Sequence, residues 1–225
     1  METYTDTYAN IPAAGTDGNL FLPSNGLCVY RDTGAVWNPW GPVFPLVTPP
    51  ALASLTWINQ GGATATETNG GIHLYGPAGA GNNTRALVVA TGTAPWVFTV
   101  SFLPHSWDVT FNMIGIVCRE SGTQELETMG FYGYRIAGDR LNNPTSWNSR
   151  WIAWTPPKEN RSLFFRVEDN NTNRIYWISP DGRNWYQVGS FGRTTFLTAD
   201  QVGIFVESNN ATWAVGLTLL SWELT

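Results

Sequence analysis

Glu125 and Glu127 stand two apart at the start of a stretch with strand character that runs on through Met129 and Phe131. Alternate residues of a strand share a face about 7 Å apart, and two carboxylates on one face are equipment for acid–base work. Two solvated acids at a strand entrance fit the same spacing. A second constellation is aromatic. Tyr132 and Tyr134 share a strand face, and Trp147, Trp151 and Trp154 follow a polar loop holding Asn142, Asn143, Pro144 and Asn148. Flat rings beside amides, arginine and glutamate suit a pyranose, whose C–H face packs on the ring while its hydroxyls take the hydrogen bonds. In a chain with 12 tryptophans the same rings also suit the core of a sandwich. Trp147, inside the polar loop, is the ring the sequence singles out for exposure.

Other candidate chemistry is thinner. Gly76-Pro77-Ala78-Gly79-Ala80-Gly81 is glycine-rich, but no Lys-Ser/Thr follows and no helix is expected behind it, so it reads as a surface loop. Asp169-x-Asn171-x-Asn173 copies the opening of a calcium loop. Arg174 at its sixth position and Pro180 at its twelfth break the pattern, which makes a hairpin turn the simpler reading and leaves calcium as the alternative cofactor. His73 and His105 have no Cys, Asp or Glu at ligand spacing, so no metal site is expected. No Gly-x-Ser-x-Gly elbow is present. Cys28 and Cys118 fall in different modules and read as buried free thiols.

The elements that must position these residues are strands. Arg174 to Ile178 is β-branched and aromatic, Ser179-Pro180-Asp181-Gly182 is a turn, and Trp185 to Val188 resumes strand character. Further strands are expected at 55–59, 64–67, 71–75, 85–90, 96–103, 111–119, 126–134, 150–154, 162–168, 202–206 and 214–222, with Asn69-Gly70 as a hairpin signal. No helical periodicity intervenes. The expected fold is all-β, a two-sheet antiparallel sandwich over residues 54–225. Ahead of it lie a polar arm and a small β-meander in residues 1–47 and a Pro-rich linker at 48–53, with Pro39, Pro42, Pro45, Pro49 and Pro50 stiffening the approach or lying along the sandwich.

Charged residues make up only 13% of the chain and the net charge is −5, without a Lys/Arg run, which argues against a nucleic-acid partner. No apolar stretch reaches the roughly 20 residues a membrane span needs, and the first twelve residues lack the basic and apolar regions of a secretory leader.

Two resemblances sharpen the expectation. Trp177, Ser179-Pro180-Asp181-Gly182-x-x-Trp185, Val202-Gly203-Ile204-Phe205-Val206 and the closing Ser221-Trp222-Glu223-Leu224 resemble the C-terminal half of concanavalin A-like lectin/glucanase jelly rolls. That resemblance implies two stacked antiparallel sheets and admits lectins, hydrolases and structural modules alike. Glucanases of this group carry Glu-x-Asp-x-(x)-Glu on a strand around the scissile glycosidic bond; here the series beginning at Glu125-x-Glu127 continues with Met129 and Phe131, which speaks against hydrolysis.

Gly18-x-Leu20-Phe21, Gly26 and Tyr30-Arg31-Asp32-x-Gly34-x-x-Trp37 resemble a short element near the start of bacteriophage tail, fibre and other virion proteins. It implies a non-enzymatic protein of the virion, assembled in the bacterial cytoplasm. Its N-terminal module would join other virion proteins and a homo-oligomer, a trimer in the favoured case, through Phe21, Val29, Tyr30, Trp37 and Trp40. The sandwich would be displayed outward, with a host-surface glycan or receptor as the alternative partner.

Overall fold

A computed structural model describes residues 3–6, 20–23, 28–32, 37–42, 47–68, 71–79, 81–105, 112–133, 135–154, 163–210 and 212–225. For residues 3–42 and for Thr68, Trp154 and Leu163 it describes the backbone, and their side chains lie outside it. The chain divides into two compact units, Met1–Pro45 and Leu46–Thr225.

The first unit is a four-stranded sheet in the order β1 (Thr3–Asp6), β2 (Leu20–Pro23), β3 (Cys28–Asp32), β4 (Trp37–Pro42). The polar arm expected at the start contributes a strand after all: Thr3 to Asp6 pairs in parallel with Leu20 to Pro23. β4 contains Pro39 and Pro42, which a sheet tolerates at its edge because proline brings no N–H to the ladder.

The second unit is two seven-stranded sheets, every pairing within them antiparallel. One sheet runs β13 (Ser146–Trp154), β12 (Arg135–Asn143), β11 (Leu126–Tyr132), β10 (Met113–Arg119), β17 (Gln201–Glu207), β8 (Thr84–Ala90), β5 (Thr56–Ile58). The other runs β16 (Tyr186–Gly192), β15 (Asn173–Ser179), β14 (Leu163–Asp169), β9 (Trp96–His105), β18 (Val215–Leu224), β7 (Gly71–Gly76), β6 (Thr64–Thr68).

Strand periodicity fills the space between the sheets. Ile114, Ile116 and Cys118 of β10 and Met129 and Phe131 of β11 point inward against Phe98, Val100 and Phe102 of β9 and Phe165 and Val167 of β14. Phe102 and Phe165 stack at 5.1 Å, and Phe131 meets Phe165 edge-on at 5.4 Å. Each such buried ring or aliphatic contributes roughly 1.5–3 kcal/mol through removal from water. Val47 is tied to this body: its N–H donates to Ser221 Oγ at 2.8 Å, its carbonyl accepts from the Trp222 N–H at 3.0 Å, and a 3-10 turn, Leu52–Ser54, follows.

The outer face of the first sheet is closed as well. Ala86, Val88, Met113, Val117, Leu126, Ala137, Leu141 and Phe205 alternate with the inward residues and form a second buried cluster. The cover is the tip of the β12–β13 hairpin. Three strands separate β12 from β8 in the sheet, yet the Thr84 N–H donates to the Pro144 carbonyl at 2.9 Å. The tip therefore crosses above β11, β10 and β17. Register shifts at Gly138/Asp139, Arg140/Leu141 and Leu141/Asn143 let the ribbon bend that far. Arg150 fixes the bend by donating from Nε and Nη2 to the two Asp139 oxygens at 2.7 and 2.9 Å.

Two expectations are corrected here. The strand expected over 126–134 ends at Tyr132, because the chain turns at Gly133, whose φ of 56° a side chain would resist. The loop expected between that strand and 150–154 is instead the hairpin of β12 and β13.

Candidate functional site

The hairpin tip meets two other loops at one end of the sandwich. Thr84, which binds Pro144, directly follows Asn82 and Asn83 in the β7–β8 loop. Asn209 of the β17–β18 loop donates from Nδ2 to Asn82 Oδ1 at 2.9 Å, and its own N–H donates to Asn112 Oδ1 at 3.0 Å. Asn59 donates to Asn83 Oδ1 at 3.0 Å, and Asn148 to Asn142 Oδ1 at 2.8 Å. The result is an end of the molecule lined by side-chain amides that are already oriented by one another.

Two tryptophans emerge there. Among the described residues Trp147 and Trp213 are the exposed tryptophans, at 47% and 56%. Each is thrown outward by the same local device, an Asn whose side-chain oxygen accepts from the Thr N–H two residues on: Asn143 from Thr145 at 3.0 Å before Trp147, and Asn210 from Thr212 at 2.8 Å before Trp213. The Trp213 carbonyl also accepts from Asn112 Nδ2 at 3.2 Å, tying the second ring to the asparagine network.

The other residues singled out by the sequence fall elsewhere. Tyr132 lies on the outer face of its sheet with the Arg150 guanidinium over its ring at 4.1 Å, beside the Asp139 pair. Trp151 points between the sheets, with its ring 4.7 Å from that of Tyr176 and 5.2 Å from that of Phe191. Glycine at 138 and at 189 makes room for it, since a Cβ at either would collide with the indole. Trp151 is thus a packing residue and is not brought together with Trp147. Tyr134 and the Trp154 side chain lie outside the described residues, as do the side chains of Phe21, Val29, Tyr30, Trp37 and Trp40.

The carboxylate pair is also corrected. Glu125 precedes β11 and receives a hydrogen bond from Thr123 at 3.1 Å. Glu127 has the same parity as Met129 and Phe131, so it faces the space between the sheets and has no exposed surface. Its Oε2 accepts from Arg174 Nη2 at 2.6 Å and from the Tyr176 hydroxyl at 2.7 Å, and its Oε1 accepts from Arg140 Nε at 2.8 Å. A carboxylate so enclosed cannot flank a bound substrate with Glu125. Beside it, burial pushes the Cys118 thiol up to about 12, which keeps it protonated at neutral pH.

The calcium-like stretch is a hairpin turn between β14 and β15, with Asp169 accepting from the Asn171 N–H at 2.9 Å and from Arg193 Nε at 3.1 Å. Among the described residues no three His, Cys, Asp or Glu gather as metal ligands. In the next turn, backbone N–H groups of Asn184 and Arg183 hold the Asp181 carboxyl well below the usual carboxylate range, which stabilises the β15–β16 connection.

Solved structures share this architecture. The chain is similar to a functionally unknown protein from Saccharomyces cerevisiae, with a TM-score of 0.57 and 15% identity over 77% of this chain and 97% of that one. It is similar to the exoplasmic/lumenal domain of VIP36 in a Ca2+/Man3GlcNAc-bound form, with a TM-score of 0.55 and 12% identity over 80% of this chain and 86% of that one. The fold is a concanavalin A-like jelly roll. A K247S mutant of the GH43 protein BlXynB from Bacillus licheniformis also matches, with a TM-score of 0.56 and 15% identity over 92% of this chain, which spans 52% of the length of that protein. No protein-family model and no curated protein matches the sequence. At these identities the likeness extends to the jelly roll and no further.

Proposed function

We propose that the sandwich is a carbohydrate-binding module and that it binds at the loop end bearing Trp147 and Trp213. The observation that carries this reading is the placement of two exposed indoles on Asn-braced turns of loops joined to one another through Thr84–Pro144 and Asn82–Asn209. An indole face offers a sugar ring its apolar platform, and amides that both donate and accept suit sugar hydroxyls. VIP36, whose domain shares the fold, has been captured with a mannose-containing glycan. The outer sheet face, by contrast, is filled by Leu141 and the hairpin, so an open sheet cleft is not the binding surface proposed.

A glycan array probed with the full chain tests the reading. Trp213→Ala and Trp147→Ala should each weaken binding about tenfold, the order of one lost stacking contact of about 1.4 kcal/mol. Both rings are exposed, so melting temperatures should stay put. A blank array, or unchanged binding in both variants, refutes the assignment.

The separate compactness of Met1–Pro45 favours a second element of the proposal, attachment. The unit offers four short strands and resembles the leading element of bacteriophage virion proteins, so it serves to join the sandwich to a particle and to further copies. Protein lacking residues 1–45 should remain folded by circular dichroism and fail to incorporate into particles. Incorporation of the truncated protein would defeat this part.

A further inference from the structure

The chain has two histidines, and the fold brings them together. His73 lies on β7 and His105 ends β9, while β18 runs between these strands and pairs with both. Ile72 and Leu74 of β7 and Leu217 and Leu219 of β18 are buried between the sheets, so His73 and Thr218 point out from the second sheet. Thr218 sits opposite His73, and His105 sits opposite Gly216, two residues along the same face. His73 Nδ1 lies 3.2 Å from Thr218 Oγ1, and His105 Nε2 lies 2.7 Å from the same oxygen. The rings meet edge-on with centroids 5.2 Å apart. Two imidazole nitrogens from separate strands are therefore aimed at one point.

The row through Gly216 carries no side chain between Tyr75 and His105, and His105 folds across it toward Thr218. A Cβ on Gly216 would lie 3.6 Å from His73 Cε1 and 3.8 Å from the His105 Cβ. The cluster is open to solvent, with His105 exposed and His73 half-buried, so a small ion reaches the nitrogens without opening the fold. A hydroxyl has one hydrogen to give. In the free protein one imidazole accepts it and the other donates to the oxygen. A neutral imidazole carries its proton on either ring nitrogen, so both near nitrogens offer lone pairs once the protons sit on the far ones.

We infer that His73 Nδ1 and His105 Nε2 chelate a divalent first-row transition ion such as Zn2+, with the Thr218 hydroxyl as a neutral oxygen donor and water on the exposed side. Imidazole suits Zn2+, Ni2+ and Cu2+, whereas Mg2+ and Ca2+ want carboxylates and carbonyls. Each nitrogen stands within a hydrogen bond of one oxygen, and rotation of the two rings closes the gap to the span of two Zn–N bonds of about 2.0–2.1 Å. No Cys, Asp or Glu completes a group of three ligands among the described residues, so the site is an open one that exchanges its ion, unlike a closed structural zinc centre. The bound ion ties β7 to β9 across β18. It therefore favours the folded chain, in which the two rings meet, over the unfolded one. The site does not depend on the carbohydrate reading.

The test titrates the untagged full chain with zinc chloride while the imidazole nitrogen resonances are followed. With two histidines in the chain, the spectrum is read directly. Both rings should shift together and saturate at one zinc per chain, His73 metallated at Nδ1 and His105 at Nε2. Magnesium chloride at equal ionic strength should move neither. The melting temperature should rise with zinc.

His73→Gln and His105→Gln keep a side-chain amide for Thr218. Each should weaken zinc binding at least about tenfold and cancel the zinc-dependent rise in melting temperature. Shifts that do not saturate overturn the chelate, and so does a ring that binds zinc equally well after the other has been replaced. Metallation through His73 Nε2 or His105 Nδ1, the nitrogens not aimed at Thr218, overturns it too. Should a variant fail to fold, the wild-type titration decides alone, since the pattern of metallated nitrogens is read without any substitution.

Discussion

Glu127→Ala is expected to destabilise the sandwich by about 3–5 kcal/mol, the cost of leaving buried positive charge without its partner. Arg174 is wholly buried and points Nε and Nη2 at Glu127 Oε2, while its Nη1 donates to the Arg193 carbonyl at 2.9 Å and to the Leu197 carbonyl at 3.1 Å. Burial lowers the Arg174 pKa and the facing Tyr176 and Glu127 oxygens raise it above its ordinary value; with Glu127 gone that support is lost, but a guanidinium still keeps its proton at neutral pH. Removing Glu127 therefore leaves a cation in the core, and Arg140 and the Tyr176 hydroxyl lose the acceptors they now use. Urea denaturation measures the loss. Replacing Glu127 and Arg174 together by methionine should recover much of it, because an apolar pair of similar volume carries no desolvation cost. A single Glu127→Ala change that costs less than about 1 kcal/mol would show that water reaches the cluster and that the network is not sealed.

The same residue shows how far the sequence could be read. Period-two reasoning puts Glu125 and Glu127 on one side of a strand, but the strand begins at Leu126 and only Glu127 lies in it, facing inward. Charge suggests that the side is solvated. The parity of Met129 and Phe131 pointed the other way, since residues four and two positions on from an outward Glu127 would also be outward. What the sequence could not supply was the partner: Arg174 lies 47 residues away on another sheet, and only the stacking of β11 over β15 brings them together. The hairpins of the C-terminal half were legible because their turns are chemically explicit, with Ser179 and Asp181 accepting from turn N–H groups and Asn184 donating to the Asp181 carboxylate.

The hairpin of β12 and β13 was not legible for a related reason. Gly138, Asp139, Asn142 and Asn143 are poor strand formers, and the ribbon exists because Asp139 finds Arg150, Thr128 finds the Asp139 carbonyl, and Pro144 finds Thr84. Tertiary bonds outweigh local preference along its whole length. Trp147 was accessible to sequence reasoning as a ring in a polar turn, and Trp213 was missed although it carries the same signature, an Asn-x-Thr triplet just ahead of a tryptophan. The parallel strand at Thr3 to Asp6 has β-favouring residues in Thr3, Tyr4 and Thr5, but four residues are too few to signal a strand without the pairing to Leu20–Pro23.

The hairpin that closes the outer face also sets a pH dependence. Glu207, 5% exposed, lies beneath it and accepts from Thr84 Oγ1 at 2.6 Å, next to the N–H that holds Pro144. Burial raises its pKa from 4.5 to about 7, with the Thr84 hydrogen bond opposing in part. A carboxyl whose folded value exceeds its unfolded one binds its proton more tightly when folded, so its contribution is complete below about pH 4.5 and is lost as pH rises through about 7. The span corresponds to about 3 kcal/mol at about 1.4 kcal/mol per unit. Unfolding free energies taken by urea at pH 5 and at pH 8 should therefore differ by that order in the wild type, with the protein weaker at pH 8. Glu207→Gln keeps an oxygen for Thr84 and cannot ionise, so it should match the wild type near pH 5 and exceed it by about 2–3 kcal/mol at pH 8. Backbone hydrogen exchange at Thr84 then tells whether the loss is local. Faster exchange at pH 8 than the intrinsic rate change explains, suppressed in Glu207→Gln, would place the ionised carboxylate under a hairpin tip that lifts; identical protection factors in both proteins would mean that Glu207 ionises without disturbing the Pro144 bond, and that the tip is held by Leu141 and its apolar neighbours instead.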